Sequence, residues 1–397
     1  MLSGVVTSPA FAQTSPSPVL NNQLNLGEIF SGQTLNVQTV SDGVTASTVA
    51  QANGVSVGVT NADATATSYQ DNQGKVYGQT VVDVGDNAGA ASAVRSTAAG
   101  NSASLSASNG TISAFAVQTN SAEVTARGQV EAANAEAKDL TVSTLAMGNT
   151  AGVNLDNGSA GLRLSQNTRA NTLADGGAVV QYVSGTSAVT STTTGNNINI
   201  QGGNQSAARA ITDQANTAQV TQASKFTAYG NSYLTATTAT ATGNNLSATN
   251  EGPLMDLTSN QWNTSYVRGQ AEGSSYQFGA AQTQAYAAGN ASQVNNVGAE
   301  LVLDNLQTNS GGGVEATASF QGNDGYDAVT TATAMGNAVT GYVCARCNGR
   351  MTVTNNQTNS ADIGAKSSTT ITSSGRQVTG VSTAIGNNAS FNVSAPN

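Results

Sequence analysis

From about residue 23 onward the chain alternates between two kinds of position. In LVLDNLQTN (301–309) and VNLDNGSAGLRLS (153–165), apolar or small residues mostly occupy every second place, with polar ones between. A period of two sends successive side chains to opposite faces of a strand. The pattern therefore predicts strand after strand.

The alternation is superimposed on a longer period. A Gly-Asn box places Asn at 53, 101, 149, 196, 244, 290, 337 and 387, at spacings of 48, 48, 47, 48, 46, 47 and 50 residues. The preceding residue is Gly except at Ala52, and the residue three before the Asn is Ala except at Thr193. A second, interleaved box begins at Gln23, Gln70, Gln118, Gln166, Gln214, Gln261, Gln307 and Gln357. Two residues later comes Asn, except in the fourth copy, where Asn167 is displaced by one and Thr168 stands in the column. A tiny residue follows after two more, and then usually a β-branched one: Ile29, Val76, Val124, Val220, Val267 and Ile363, with Thr172 and Gly313 as weaker members. Gln-x-Asn-x-small-x-Val puts all four types on one face.

Repeats that stack must show matching shapes to the copies above and below, so the constant face is expected to be the inner one. Amides there can bond to their own copies in neighbouring rungs, as in cross-β ladders. This satisfies groups that would each cost roughly 1–3 kcal/mol if buried unpaired. The amides expected to form such structural ladders are Asn53, Asn101, Asn149, Asn196, Asn244, Asn290, Asn337 and Asn387, together with Gln70, Gln118, Gln214, Gln261, Gln307 and Gln357. Asn109-Gly110, Asn157-Gly158, Gly252-Pro253 and Asn348-Gly349 are turn signals between strands. The predicted fold class is all-β: an elongated β-solenoid of eight repeats of about 48 residues, starting near 23, 70, 118, 166, 214, 261, 307 and 357. Each repeat is one wide flattened rung or two narrower ones.

Composition supports order without a thick core. Of 397 residues, 38% are hydrophobic and 5% aromatic, so small side chains must fill the interior. Only 9% are charged, fewer than a disordered stalk needs to stay solvated. The net charge of −9, without any basic run, argues against nucleic acid as a partner. Histidine is absent, which removes the commonest general base and metal ligand. No catalytic residue, cofactor site or metal site is expected, and the protein is read as non-enzymatic.

Residues 1–12 read as the end of a secretory signal peptide, with a small-x-small site at Ala10-Phe11-Ala12. Residues 13–22 read as a polar linker, and 23–397 as a single repeat domain. In an exported chain, Cys344 and Cys347 are expected to form a disulfide that clips a turn. Asp324 and Asp327, in GNDGYD, read as part of a solvated turn. A row of Thr97, Thr192, Thr240, Thr333 and Thr383 suggests an ice-binding face, but Leu145 and Tyr286 interrupt it. Trp262 and the scattered tyrosines are candidates for stacking on sugar rings.

With Gln-Thr-Asn and Ala-x-Gly-Asn boxes repeating at this length, the chain resembles the bacterial holdfast anchor proteins, in particular the D component. Its Gln…Asn-x-Ala half-pattern is more weakly similar to curlin repeats, which are about half as long. The holdfast resemblance implies an anchor that fastens adhesive holdfast polysaccharide to the outer membrane at a cell pole. It implies export to the cell surface through a curli-type outer-membrane pore, in company with other holdfast anchor proteins. The residues themselves leave a second reading open: a curli-like amyloid fibre subunit that self-associates through its end rungs.

Overall fold

The computed structural model describes residues 16–344 and 349–394; the leader reading at 1–12 lies outside them. The fold is an all-β solenoid of parallel strands. Eight strands form one sheet in chain order: Ser17–Asn25, Asp63–Asn72, Thr111–Asn120, Ser159–Thr168, Ala207–Asn216, Leu254–Asn263, Glu300–Asn309 and Arg350–Asn359. Each pairs with the strand one full repeat away, so Gln23 lies against Gln70 and Gln118 against Gln166. Asn101 likewise lies against Asn149. One repeat is therefore one wide rung.

The rest of each rung belongs to a second sheet. After Thr111–Asn120 the chain runs through Val124–Ala137, bends, and returns as Asp139–Asp156. From residue 172 the two stretches are continuous in four successive rungs, as in Thr172–Gly203 and Val220–Asn250. The first half of the returning strand faces the preceding stretch, with Ser96 Oγ donating to Gly78 O at 2.9 Å. Its second half faces the first sheet. Rungs climb about 4.8 Å each, whereas an 18-residue strand such as Asp139–Asp156 reaches roughly 60 Å. The long dimension thus lies across the rung.

Alternation decides what fills the space between layers. At one side Ile112, Leu155, Leu164, Ile198, Leu246, Met255 and Leu301 form a buried aliphatic cluster. In the middle, where the layers come closest, the core is mainly alanine: Ala98, Ala126, Ala146 and Ala174, then Ala223, Ala241, Ala287 and Ala334. At the bend it widens to Val82, Val94, Val130 and Val142 in the early rungs, and to Phe278 against Phe320 in the later ones. Turn chemistry follows the sequence signals. Asn109 and Asn157 adopt φ of 50° in each case, a conformation Asn tolerates well.

Three readings change. Residues 17–22, expected as linker, are the first part of strand Ser17–Asn25 and pair with 64–69. Val220 does not stand in the β-branched column: Thr221 pairs with Thr172 and Val267, while Val220 opens the strand one place earlier, opposite Tyr266. Gly313 is likewise displaced, and Val314 is the residue opposite Val267. In both repeats the turn after the Gln box holds one extra residue, which counting at a fixed offset does not register.

Candidate functional site

The box asparagines form an unbroken ladder. Nδ2 of each donates to Oδ1 of the next, from Asn53 to Asn101 at 2.8 Å through Asn149, Asn196, Asn244, Asn290 and Asn337 to Asn387, where the distance is 2.7 Å. The second Nδ2 hydrogen crosses to the first sheet. In the rung of Asn101 it reaches Thr119 O at 2.7 Å, and in that of Asn244 it reaches Trp262 O at 2.9 Å. The ladder binds rung to rung and layer to layer at once.

The glutamines run the opposite way. Gln70 donates to Gln23 Oε1 at 2.9 Å, and each later Gln donates to the earlier one as far as Gln357 to Gln307 at 2.7 Å. Gln166, left off the expected set, is a full member. Their second hydrogens also cross between layers, Gln118 to Thr150 O at 2.9 Å for example. The Asn column of the Gln box forms a third ladder, broken where Thr168 replaces the amide. Asn25 donates to Asn72, Asn72 to Asn120, Asn263 to Asn309 and Asn309 to Asn359. Between these runs Asn216 turns to Thr221 Oγ1, leaving Asn216 Oδ1 and Asn263 Oδ1 without a donor.

Sequence reasoning missed Lys225, whose side chain is buried in the core. Its column contains Gly128 and Gly176 in the two preceding rungs, and the ammonium runs into the space their missing side chains leave. It donates to Thr144 Oγ1 at 2.5 Å and to the carbonyls of Gly128 and Asp175 at 3.2 Å each. Burial lowers its pKa to about 7, only partly opposed by Asp175, with Arg127 reinforcing the drop. Two glycines beneath a lysine were the available signal.

A developed cleft lies on the outer surface at the bend of the later rungs. The register puts Tyr233, Gly279 and Tyr326 one above another. Both tyrosines are well exposed, at 67% and 62%, and the glycine forms the floor between them. Beside them Asn231, Gln277 and Asp324 make a polar row in register. A hollow of about 700 Å³ lies on the side of this row, and one of about 330 Å³ lies on the side of Leu234 and Arg376; both share the Tyr-Gly-Tyr column. Arg376 stacks over the Tyr326 ring at 5.6 Å and pairs with Asp327, Nε to Oδ1 at 2.9 Å. That hydrogen bond and charge hold the Asp327 carboxyl below its ordinary range. Asp324 and Asp327, read as belonging to a solvated turn, lie in a bend within strand Val314–Cys344 and border this cleft.

The other candidates are plainer. Trp262 is half exposed on the outside of the first sheet, beside a shallow groove of about 280 Å³. Thr192, Thr240, Thr333 and Thr383 do align, with Leu145 and Tyr286 interrupting them in register. Cys344 ends its strand half buried, and Cys347 lies outside the described residues, so their disulfide is not assigned. Among the described residues no group of three His, Cys, Asp or Glu is placed to hold a metal ion, and no helix is long and apolar enough to cross a membrane.

The family model described as Holdfast attachment protein D matches residues 38–313 and 322–397. A protein of that name from Caulobacter vibrioides is 80% identical over 70 residues, covering 18% of this chain and 23% of the relative. The match thus spans about a quarter of that relative's length. No solved structure matches.

Proposed function

Because this chain belongs to the Holdfast attachment protein D family, we propose that it is a non-enzymatic anchor at the cell surface, fastening adhesive polysaccharide to the outer membrane. The observation that carries this reading is the pair of amide ladders running through all eight rungs, the glutamines in the first sheet and the box asparagines in the second. They tie a core poor in large side chains into a stiff parallel stack, which can transmit load between a polymer and an envelope partner. A broad polar surface of repeated strands suits many weak contacts that add through multivalency. Export through a curli-type pore and docking on other anchor proteins complete the proposal. Deleting the gene tests it: adhesive should be shed into the medium and cells should lose surface attachment, whereas retained adhesive overturns the reading.

A second reading, a self-assembling fibre subunit, is favoured by the polarity of the ladders. Among the described residues Asn53 Oδ1 accepts from no donor and Asn387 keeps an Nδ2 hydrogen for a further rung, while Gln23 keeps an Nε2 hydrogen and Gln357 Oε1 accepts from no donor. Copies stacked head to tail would continue both ladders; head to head, acceptor would meet acceptor. Concentration-dependent fibre growth with thioflavin binding would support this alternative, and a monodisperse particle at all concentrations would exclude it.

A further inference from the structure

We infer that the cleft over Gly279 is a glycan-binding site that takes a pyranose ring of a neutral polysaccharide between Tyr233 and Tyr326. The inference rests on the anchor reading above and gives it a location. A pyranose presents flat C–H faces and a rim of hydroxyls, so it needs aromatic faces for the first and mixed donors and acceptors for the second. The cleft supplies both. Tyr233 and Tyr326 are two rungs apart, which is about 9.6 Å at the usual strand spacing. A ring between the two walls needs about 7–8 Å in all, so the backbone spacing leaves room for it. The floor must then carry no side chain. Position 279 is glycine, and a Cβ there would lie 2.4 Å from Tyr233 O and 3.3 Å from Tyr233 Cδ2.

The rim follows from the register. Asn231, Gln277 and Asp324 stand in successive rungs on one side of the aromatic column, an amide, an amide and a carboxylate suited to successive hydroxyls. On the other side Arg376 bonds to Asp327 and lies over Tyr326, which fixes that ring in place. The two hollows meet at the Tyr-Gly-Tyr column, so the site is a slot open at both ends. A slot admits an internal segment of a polymer, whereas a compact metabolite calls for an enclosed pocket. Charge selects the class of sugar. Asp324 lines the cleft and the chain carries −9, so uronate-rich or sulfated strands are repelled and neutral ones are not.

The test is affinity electrophoresis of the purified full chain in native gels containing hydroxyethyl cellulose, galactomannan, soluble starch or polygalacturonate. The expected result is retardation by at least one neutral polymer and none by polygalacturonate. Tyr233→Ala and Tyr326→Ala should each weaken retardation at least tenfold with circular dichroism unchanged, while Trp262→Ala leaves it as it was. No retardation by any neutral polymer, or retardation that survives in both tyrosine variants, overturns the cleft. Complementation of a deletion strain separates the two claims. If the wild-type gene and the double tyrosine variant restore attachment equally, the cleft is rejected and the anchor reading stands; if the wild-type gene fails to restore it, the anchor reading is what falls.

Discussion

Asn196 Nδ2 donates to Asn244 Oδ1 at 2.8 Å, across one rung and between two fully buried residues. Asn244 in turn donates to Asn290 at 2.8 Å and to Trp262 O at 2.9 Å. Replacing it with Ala strands a donor on Asn196 and acceptors on Asn290 and Trp262 inside the stack. Asn244→Ala should therefore cost about 3–5 kcal/mol, near the upper end for single substitutions. Asn387, exposed in the last rung, makes one strong ladder contact and a weak 3.4 Å bond to Gln357 O, so Asn387→Ala should cost under about 1 kcal/mol. Urea unfolding followed by circular dichroism compares the two; equal losses would show that the ladder carries no more energy inside the stack than at its end.

The glycine of the box is fixed by the approach of its own copies. A Cβ on Gly243 would lie 2.5 Å from Gly289 O and 2.4 Å from Asn263 Oδ1, and the first of these is backbone that cannot turn aside. Gly243→Ala is expected to abolish cooperative folding or to lower the midpoint drastically. Gly364, with nothing within 4 Å of a built Cβ, is the control. Gly364→Ala should be neutral or slightly stabilising, because it only narrows the unfolded ensemble. A Gly243→Ala protein as stable as that control would mean the rungs can separate locally without cost.

The ladders were legible in the sequence because stacking demands the same group at the same place: Asn53 to Asn387 and the glutamines stand out as identities at a near-constant interval. Other features were hidden for physical reasons. The displaced Val220 and Gly313 reflect one-residue insertions in turns, which shift the register without altering the period-two alternation. The home of Lys225 depends on Gly128 and Gly176, nearly 100 and 50 residues earlier, and the three share no repeated motif. The cleft joins Tyr233, Gly279 and Tyr326 at the bend, where the repeats vary most. A non-repeating site in a repeating fold leaves no column to read.

Lys225 should leave a signature in the pH dependence of stability. Its folded pKa is about 7 and its ordinary value 10.5. Below pH 7 it is charged in both states, and the burial penalty is fully present. Between about 7 and 10.5 the unfolded chain keeps the proton that the folded chain has released, so unfolding takes up a proton and stability rises with pH, by up to about 1.4 kcal/mol per pH unit for one group. Asp175 has a raised pKa, and its opposite effect falls in the acid range, where stability declines as pH rises through the interval above 3.8. Tyr229, pushed up by burial, erodes stability only above about pH 10, once the unfolded phenol ionises. Urea midpoints at pH 6 to 9.5 should climb for the wild type and stay flat for Lys225→Met. A climb of the same size in the variant would assign the effect to other groups.

The break in the third ladder invites a repair. Thr168 turns its hydroxyl to Gly195 O at 2.8 Å and cannot pass a hydrogen bond on to Asn216, whose Oδ1 is left buried without a donor. Below it, Asn120 spends Nδ2 on Ala122 O at 2.9 Å and finds no amide in the next rung. Asn167, one place early, points the needed group to the wrong face, and its Oδ1 too lacks a partner. Exchanging the pair, Asn167→Thr with Thr168→Asn, restores the order of the other repeats. It lets the new amide accept from Asn120 and donate to Asn216, while Asn149 returns to the carbonyl of residue 167, as its counterparts do in other rungs. Two bonds gained against the loss of the hydroxyl's donation, shared between Gly195 O and Asn196 Oδ1, should raise stability by about 1 kcal/mol. Adding Thr221→Val removes the acceptor that draws Asn216 away, freeing its Nδ2 for Asn263 and extending the ladder through all eight strands. If the exchanged protein unfolds at the same or lower urea concentration than the wild type, the broken ladder is not a defect, and Thr168 must be held by its contacts with Asn149 and Gly195 instead.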